Sequence, residues 1–205
     1  MLEGIHWLGH ASFRIENKQV IYIDPWKLKH PAKLADLILI THGHHDHLSP
    51  DDIAKISKPD TVVVCPFACA DKVRGRVRTI VPGQSMQIGD VRIEAVPSYN
   101  VNKPNHPKEA GTVGYVIEVG GQRIYHAGDT DLIPEMANIH CDVALLPAGG
   151  KYTMDATEAA QSLGVIKPKV AVPMHWGSLV GSEADARHFQ KQAPQGVQVV
   201  IMRVE

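Results

Sequence analysis

The chain has 205 residues, 44% hydrophobic and 21% charged, which suits one domain with a real core and excludes a disordered or supercharged chain. Its 21 Lys and Arg are matched by 22 Asp and Glu; a net charge of −1 gives no bulk attraction to nucleic acid or to an acidic membrane, although a local basic patch stays open. Cys65, Cys69 and Cys141 are too few for a disulfide framework and read as small buried hydrophobes in a reducing compartment. The start of the chain is neither basic nor followed by a long apolar run. No signal peptide, membrane span or stable membrane anchor is expected, and the predicted location is the cytoplasm.

In chain order, short runs rich in β-formers predict strands at Ile5 to Leu8, Ser12 to Glu16 and Val20 to Asp24. Asn17-Lys18 makes the turn between the last two, and Asp24-Pro25 breaks the third. Leu37 to Thr41 is the continuous apolar run of a strand buried on both faces. Ser49-Pro50-Asp51-Asp52 opens a helix, with Ser as cap, Pro in the first turn, and Ile53 and Ile56 as its apolar side. Thr61 to Cys65 is another buried strand, with a helix from about Phe67. Strands return at Arg78 to Val81, Ser85 to Ile88 and Val91 to Val96, the last two joined over Gly89-Asp90. Pro97 to Gly111 is a long polar loop with three prolines, and loops of that length are functional or mobile. Thr112 to Val119 and Gln122 to His126 form a hairpin over Gly120-Gly121. The last third alternates: a strand at Asp142 to Leu146, a helix capped by Asp155 and Glu158, a strand at Lys169 to Met174, a helix at Glu183 to Gln192, and a closing strand at Val197 to Met202.

No linker divides residues 1–205, which read as a single domain. So many strands with about four helices predict an α/β fold of two packed sheets with helices outside, a four-layer α/β/β/α sandwich.

Twelve histidines are many for this length, and eight lie near strand ends or in Gly/Pro-rich loops: His10, His42, His44, His45, His47, His106, His126 and His175. His6, His30, His140 and His188 suggest no partners. Thr41-His42-Gly43-His44-His45-Asp46-His47 contains H-x-H-x-D-H directly after a buried strand. In extended chain His42 and His44 face the same way and can share one metal. Asp46 and His47 can aim at a second point as the chain turns toward Ser49. Gly128-Asp129-Thr130 and Pro173-Met174-His175-Trp176-Gly177 each put a ligand-type residue beside glycine at a strand end.

These segments, with Trp7-Leu8-Gly9-His10-Ala11-Ser12 and Tyr125-His126-Ala127-Gly128-Asp129-Thr130, resemble the metallo-β-lactamase-fold hydrolase superfamily over nearly the whole length. Within it the chain is most similar to small metal-dependent hydrolases, and more distantly to ascorbate-phosphate lactonase and N-acyl-phosphatidylethanolamine phospholipase D. The resemblance implies that His42 and His44 hold one metal, that Asp46, His47 and His175 hold a second, and that Asp129 bridges both. A third histidine for the first metal is implied after Val96. Ser98-Tyr99-Asn100 offers none there, and His106 is the sole histidine between His47 and His126, with Asn100 as the alternative ligand.

Nitrogen and carboxylate donors without thiolate suit two divalent ions, zinc foremost, manganese or iron otherwise. The reaction expected is attack of a metal-bound hydroxide on an ester, lactone or phosphodiester of a small molecule, with Asp46 catalytic in orienting that hydroxide. A non-hydrolytic metal or redox scaffold and a nucleic-acid phosphodiesterase are the competing readings; the near-neutral charge argues against nucleic acid. His10 lines the site or caps a strand end. His126 is read as hydrogen-bonding a ligand, and Lys151 or Tyr152 as contacting an anionic substrate. His45 is solvent-facing, and Trp7 and Trp176 are packing residues. Oligomeric state is open.

Overall fold

In the computed structural model, which describes residues 1–29 and 32–205, the chain forms two sheets. The first begins with β1 (Ile5–Gly9), β2 (Ser12–Glu16) and β3 (Val20–Ile23), which pair antiparallel; β4 (Leu37–Leu39), β5 (Val62–Pro66) and β6 (Arg76–Ile80) add parallel in sequence order. The second begins with the antiparallel β7 (Ser85–Ile88), β8 (Val91–Pro97), β9 (Val113–Val119) and β10 (Gln122–His126). It continues parallel through β11 (Val143–Pro147), β12 (Val170–Met174) and β13 (Gln198–Val199).

Side-chain alternation decides how the layers stack. Leu37, Leu39 and Val64 point between the sheets and join Ile93, Tyr115 and Ile117 of the second sheet in one core. Ile38, Ile40, Val63 and Cys65 point the other way, under Ile53 and Ile56 of α1 (Pro50–Ile56). On the far side, α2 (Ala156–Ile166) and α3 (Glu183–Gln192) bury Ala159, Leu163 and Phe189 against the second sheet. The result is the α/β/β/α sandwich expected from the sequence. No helix among the described residues is long and apolar enough to cross a membrane.

The capping signals act as expected. Ser49 accepts the Asp52 amide, and Asp155 with Glu158 makes a reciprocal capping box. Three expectations change. The helix from Phe67 is a 3₁₀ helix, Phe67–Lys72; the stretch between β5 and β6 is too short to bury an apolar stripe, as Phe67 shows by staying exposed. The closing strand shrinks to Gln198–Val199: after the Val200 amide bonds the Ala171 carbonyl of β12 the chain turns away to β1, where the Glu205 amide bonds the Trp7 carbonyl. The loop from Pro97 to Gly111 carries a 3₁₀ turn at Lys108–Ala110 and buries Asn100 and His106. His30 lies outside the described residues.

The strands that matter for the site, β1, β3 and β4 in one sheet and β8, β10 and β12 in the other, end along one rim of the sandwich. Two backbone bonds stitch the sheets there: the Val113 amide to the Thr41 carbonyl at 3.1 Å, and the His175 amide to the His10 carbonyl at 2.9 Å. The loop after β11 passes so close to the turn after β12 that a Cβ on Gly149 would overlap the His175 carbonyl oxygen. Backbone cannot yield as a flexible side chain can. Gly149→Ala is therefore expected to destabilise the protein by about 1–3 kcal/mol. Urea unfolding at unchanged slope checks this; an unshifted midpoint would show that the two loops are not held together.

Candidate metal centre

His42 and His44 follow β4, His106 comes from the loop after β8, and their nitrogens converge. His42 Nε2 lies 3.0 Å and His106 Nε2 3.1 Å from His44 Nδ1. Beside them, Asp46 Oδ2 stands 3.6 Å from His47 Nε2 and 3.9 Å from His175 Nε2. Asp129, on the turn after β10, reaches both groups. Its Oδ1 is 3.2 Å from His47 Nε2, and its Oδ2 is 3.1 Å from His175 Nε2, 3.5 Å from His106 Nε2 and 4.0 Å from His42 Nε2. Donors about 2.0–2.2 Å from a tetrahedral zinc ion stand roughly 3.3–3.6 Å apart, so these spacings are those of ligands facing a common centre. His42, His44 and His106 form one such group, and His10, Asp46, His47 and His175 another.

The buried atoms test the fit further. His47 Nε2, His175 Nε2 and Asp129 Oδ1 have no hydrogen-bond partner. Each such orphan costs about 1–3 kcal/mol. Three turned toward one point are accounted for by a cation between them. No cysteine joins either group. Burial pushes the Cys65 thiol up to about 12 and the Cys69 thiol to about 11, away from the thiolate a metal would need.

The electrostatics follow from burial and mutual proximity. Burial, then the neighbouring His47, holds His42 well below the ordinary histidine range, and burial lowers His106 too; both favour the neutral imidazole that binds metal. Burial opposes the charge on His47, but the Asp129 and Asp24 carboxylates outweigh it and raise His47. Burial likewise opposes charge on Asp129, and His175 with His47 outweighs it, so Asp129 is held well below the carboxylate range.

A further set of residues sets which nitrogen faces inward. The Asp24 carboxylate, wholly buried after β3, accepts from His47 Nδ1 at 2.7 Å and from the Thr41 hydroxyl at 2.7 Å. With its proton so committed, Thr41 Oγ accepts from His42 Nδ1 at 3.0 Å. Asn100 donates its amide to Asp131 and to the Tyr152 carbonyl, which turns its Oδ1 to accept His106 Nδ1–H at 2.9 Å. In each case Nδ1 is the nitrogen claimed from behind and Nε2 is the nitrogen turned inward. Asn100 thus stands behind His106 and not in its place. The sequence reading missed Asp24, Thr41 and Asp131. A signal existed for Asp24, an acid at the end of an apolar strand, but it was read as a strand break.

His10 turns inward: its Nε2 bonds Asp46 Oδ2 at 2.9 Å, and its ring lies 3.9 Å from that of His175. Its carbonyl takes the Trp7 indole and the His175 amide. His10, Asp24 and His175 all have positive φ, at 52°, 46° and 57°. Such strain costs of order 1–3 kcal/mol per residue and gathers at functional sites. His126 is a correction. Instead of a ligand it bonds the Ala11 carbonyl at 2.8 Å and the Gly128 amide at 3.2 Å, bracing the turn that carries Asp129. Lys151 is exposed and stacks over Tyr152, and neither side chain joins the metal-type groups. His45 is exposed. Trp7 packs on Trp176, with centroids 4.8 Å apart. His6 pairs with Glu205, and His188 with Gln192.

Comparison with known proteins finds relatives that are metal-dependent hydrolases. The family described as "Beta-lactamase superfamily domain" matches residues 4–175. A metal-dependent hydrolase of Thermoplasma acidophilum is 35% identical, over 98% of this chain and 96% of its own. One from Pyrococcus abyssi is 33% identical, over 97% and 96%. A crystal structure of a protein assigned to the metal-dependent hydrolases, from Parabacteroides distasonis, superposes with a TM-score of 0.88 at 31% identity, covering 98% of this chain and 93% of that one.

The two histidine supports are separable by mutation. Asp24→Asn disturbs His47 directly and His42 through Thr41, so it should weaken metal at both groups. Asn100→Ala should weaken only the group containing His106. Losses of about 10–100-fold are expected, read by competition with a chelator. An Asn100→Ala protein with both affinities intact would show that His106 needs no such support.

Proposed function

The chain belongs to the metallo-β-lactamase superfamily, and on that premise we propose that it is a dinuclear metal-dependent hydrolase cleaving an ester, lactone or phosphodiester bond of a small molecule. The observation that carries the reading is the single carboxylate, Asp129, shared between two converging sets of donors. We assign His42, His44 and His106 to one ion, Asp46, His47 and His175 to the other, and Asp129 to both. The nitrogen and oxygen donors fit zinc best, with manganese or iron as alternatives. Two divalent ions held there would supply Lewis acidity and would lower the pKa of a water at the site toward neutrality.

The protein's own groups do the rest. Burial works against the Asp46 charge, but the hydrogen bond from His10 and the nearby His47 outweigh it, and Asp46 is held well below the carboxylate range. It therefore stays ionised as a hydrogen-bond acceptor that orients a water. His10 fixes the carboxylate at Oδ2, the same oxygen that faces His47 and His175. A covalent nucleophile is not required. Cys69, the thiol on the pocket beside His42, is raised by burial, the wrong direction for attack, and Ser98 Oγ is committed to the Asp129 carbonyl.

Metal analysis of purified protein should give two ions per chain, falling to about one in His106→Ala. Chelation should abolish hydrolysis across a panel of lactones, thioesters, phosphodiesters and phospholipids, and Asp46→Ala should cut it by about 10²–10⁴. Activity surviving both treatments would rule this mechanism out, and a metal-loaded protein inert to the whole panel would favour a scaffold.

A further inference from the structure

A pocket of about 220 Å³ opens beside the first histidine group, lined by His42, Gly43, His44, Cys69, Lys72 and His106 among others. That is smaller than the usual ligand pocket of about 300–1,000 Å³ and suits a compact group. Lys72 enters it from the end of the 3₁₀ helix Phe67–Lys72. Its Nζ lies 3.0 Å from where a Cβ on Gly43 would stand, directly over the backbone between His42 and His44. Glycine at 43 is what lets the ammonium come so near.

Several other lysines are neutralised, although Lys27, Lys151, Lys167 and Lys191, none of which lines this pocket, are without a carboxylate partner among the described residues as well. Lys55 pairs with Asp52, Lys58 with Asp36 and Lys103 with Asp131. Lys72 has no carboxylate partner among the described residues. Downstream, Arg74, Arg76 and Arg78 are exposed on and before the edge strand β6, and Asp71 is the one acid within 71–78. These arginines run down β6 away from the rim, Arg76 pairing with Val62 at the start of β5, so among the residues lining the pocket Lys72 is the one Lys or Arg. Divalent ions at the histidines would repel an unpaired ammonium, and an anion lying between them would turn that repulsion into attraction on both sides.

We infer that Lys72 is an anion subsite: the substrate carries a carboxylate or phosphate next to the bond that is cut, and Lys72 seats it. The inference rests on the metal-dependent hydrolysis proposed above. It is tested by binding, without turnover. Calorimetry on zinc-loaded protein compares three hydroxamates that chelate zinc alike: succinic acid monohydroxamate, its uncharged amide, and an analogue with a phosphonate tail. An acidic tail should strengthen binding at least tenfold over the amide. Lys72→Met should erase that advantage without weakening the amide, and Lys72→Arg should keep it. Whichever acid gains more identifies the native anion as carboxylate or phosphate. Equal binding of acids and amide to the parent protein, or an acid advantage that survives in Lys72→Met, overturns the subsite and leaves the metal reading standing. Failure to take up zinc or to bind even the amide overturns the metal reading, and this inference with it.

Discussion

A carboxylate removed from water must find compensating charge or hydrogen bonds, and Asp129 is buried where the two sheets meet. Its compensation comes from four imidazoles, His42, His47, His106 and His175, with nitrogens 3.1 to 4.0 Å away. Two of these follow a strand of the first sheet and two follow strands of the second. The carboxylate therefore has an environment only when both sheets are in place and packed at one separation. Folding the sandwich and assembling the centre are the same event at this rim.

Precision comes from the residues behind the imidazoles. An imidazole offers metal or proton from either nitrogen, and a buried one with the wrong tautomer would point hydrogen at the centre. Asp24, Thr41 and Asn100 remove the choice by claiming Nδ1. They are themselves held from behind: Thr41 by Asp24, Asn100 by Asp131 and the Tyr152 carbonyl. The left-handed backbone at His10, Asp24 and His175 is the strain that accompanies this aiming, and the stitches between the sheets keep it from relaxing.

The long loop after β8 shows how a polar segment becomes ordered without a hydrophobic face. Asp131, almost wholly buried, collects the Val101 amide, the Asn100 side chain and the Lys103 ammonium. One carboxylate thus organises the start of the loop, and the Asn100 amide bonds the His106 carbonyl to close it. A segment with no periodicity can be as fixed as a strand when a buried charge gathers its donors.

Local order in the sequence determined much of this protein. Apolar runs such as Leu37 to Ile40 and Val170 to Met174 specified buried strands, and capping residues placed the helices, because these depend on neighbours a few positions apart. The H-x-H-x-D-H segment marked the candidate site for the same reason: its residues are adjacent in the chain. Only the tertiary structure decided what stands across a gap in sequence. It put Asn100 behind His106, Asp24 against His47, His10 on Asp46, His126 on the Ala11 carbonyl and Lys72 over Gly43. Those partners lie between 6 and 115 positions apart where the bonds are hydrogen bonds. Nothing in local spacing encodes them, because the packing of one sheet on the other sets the distances between strand ends.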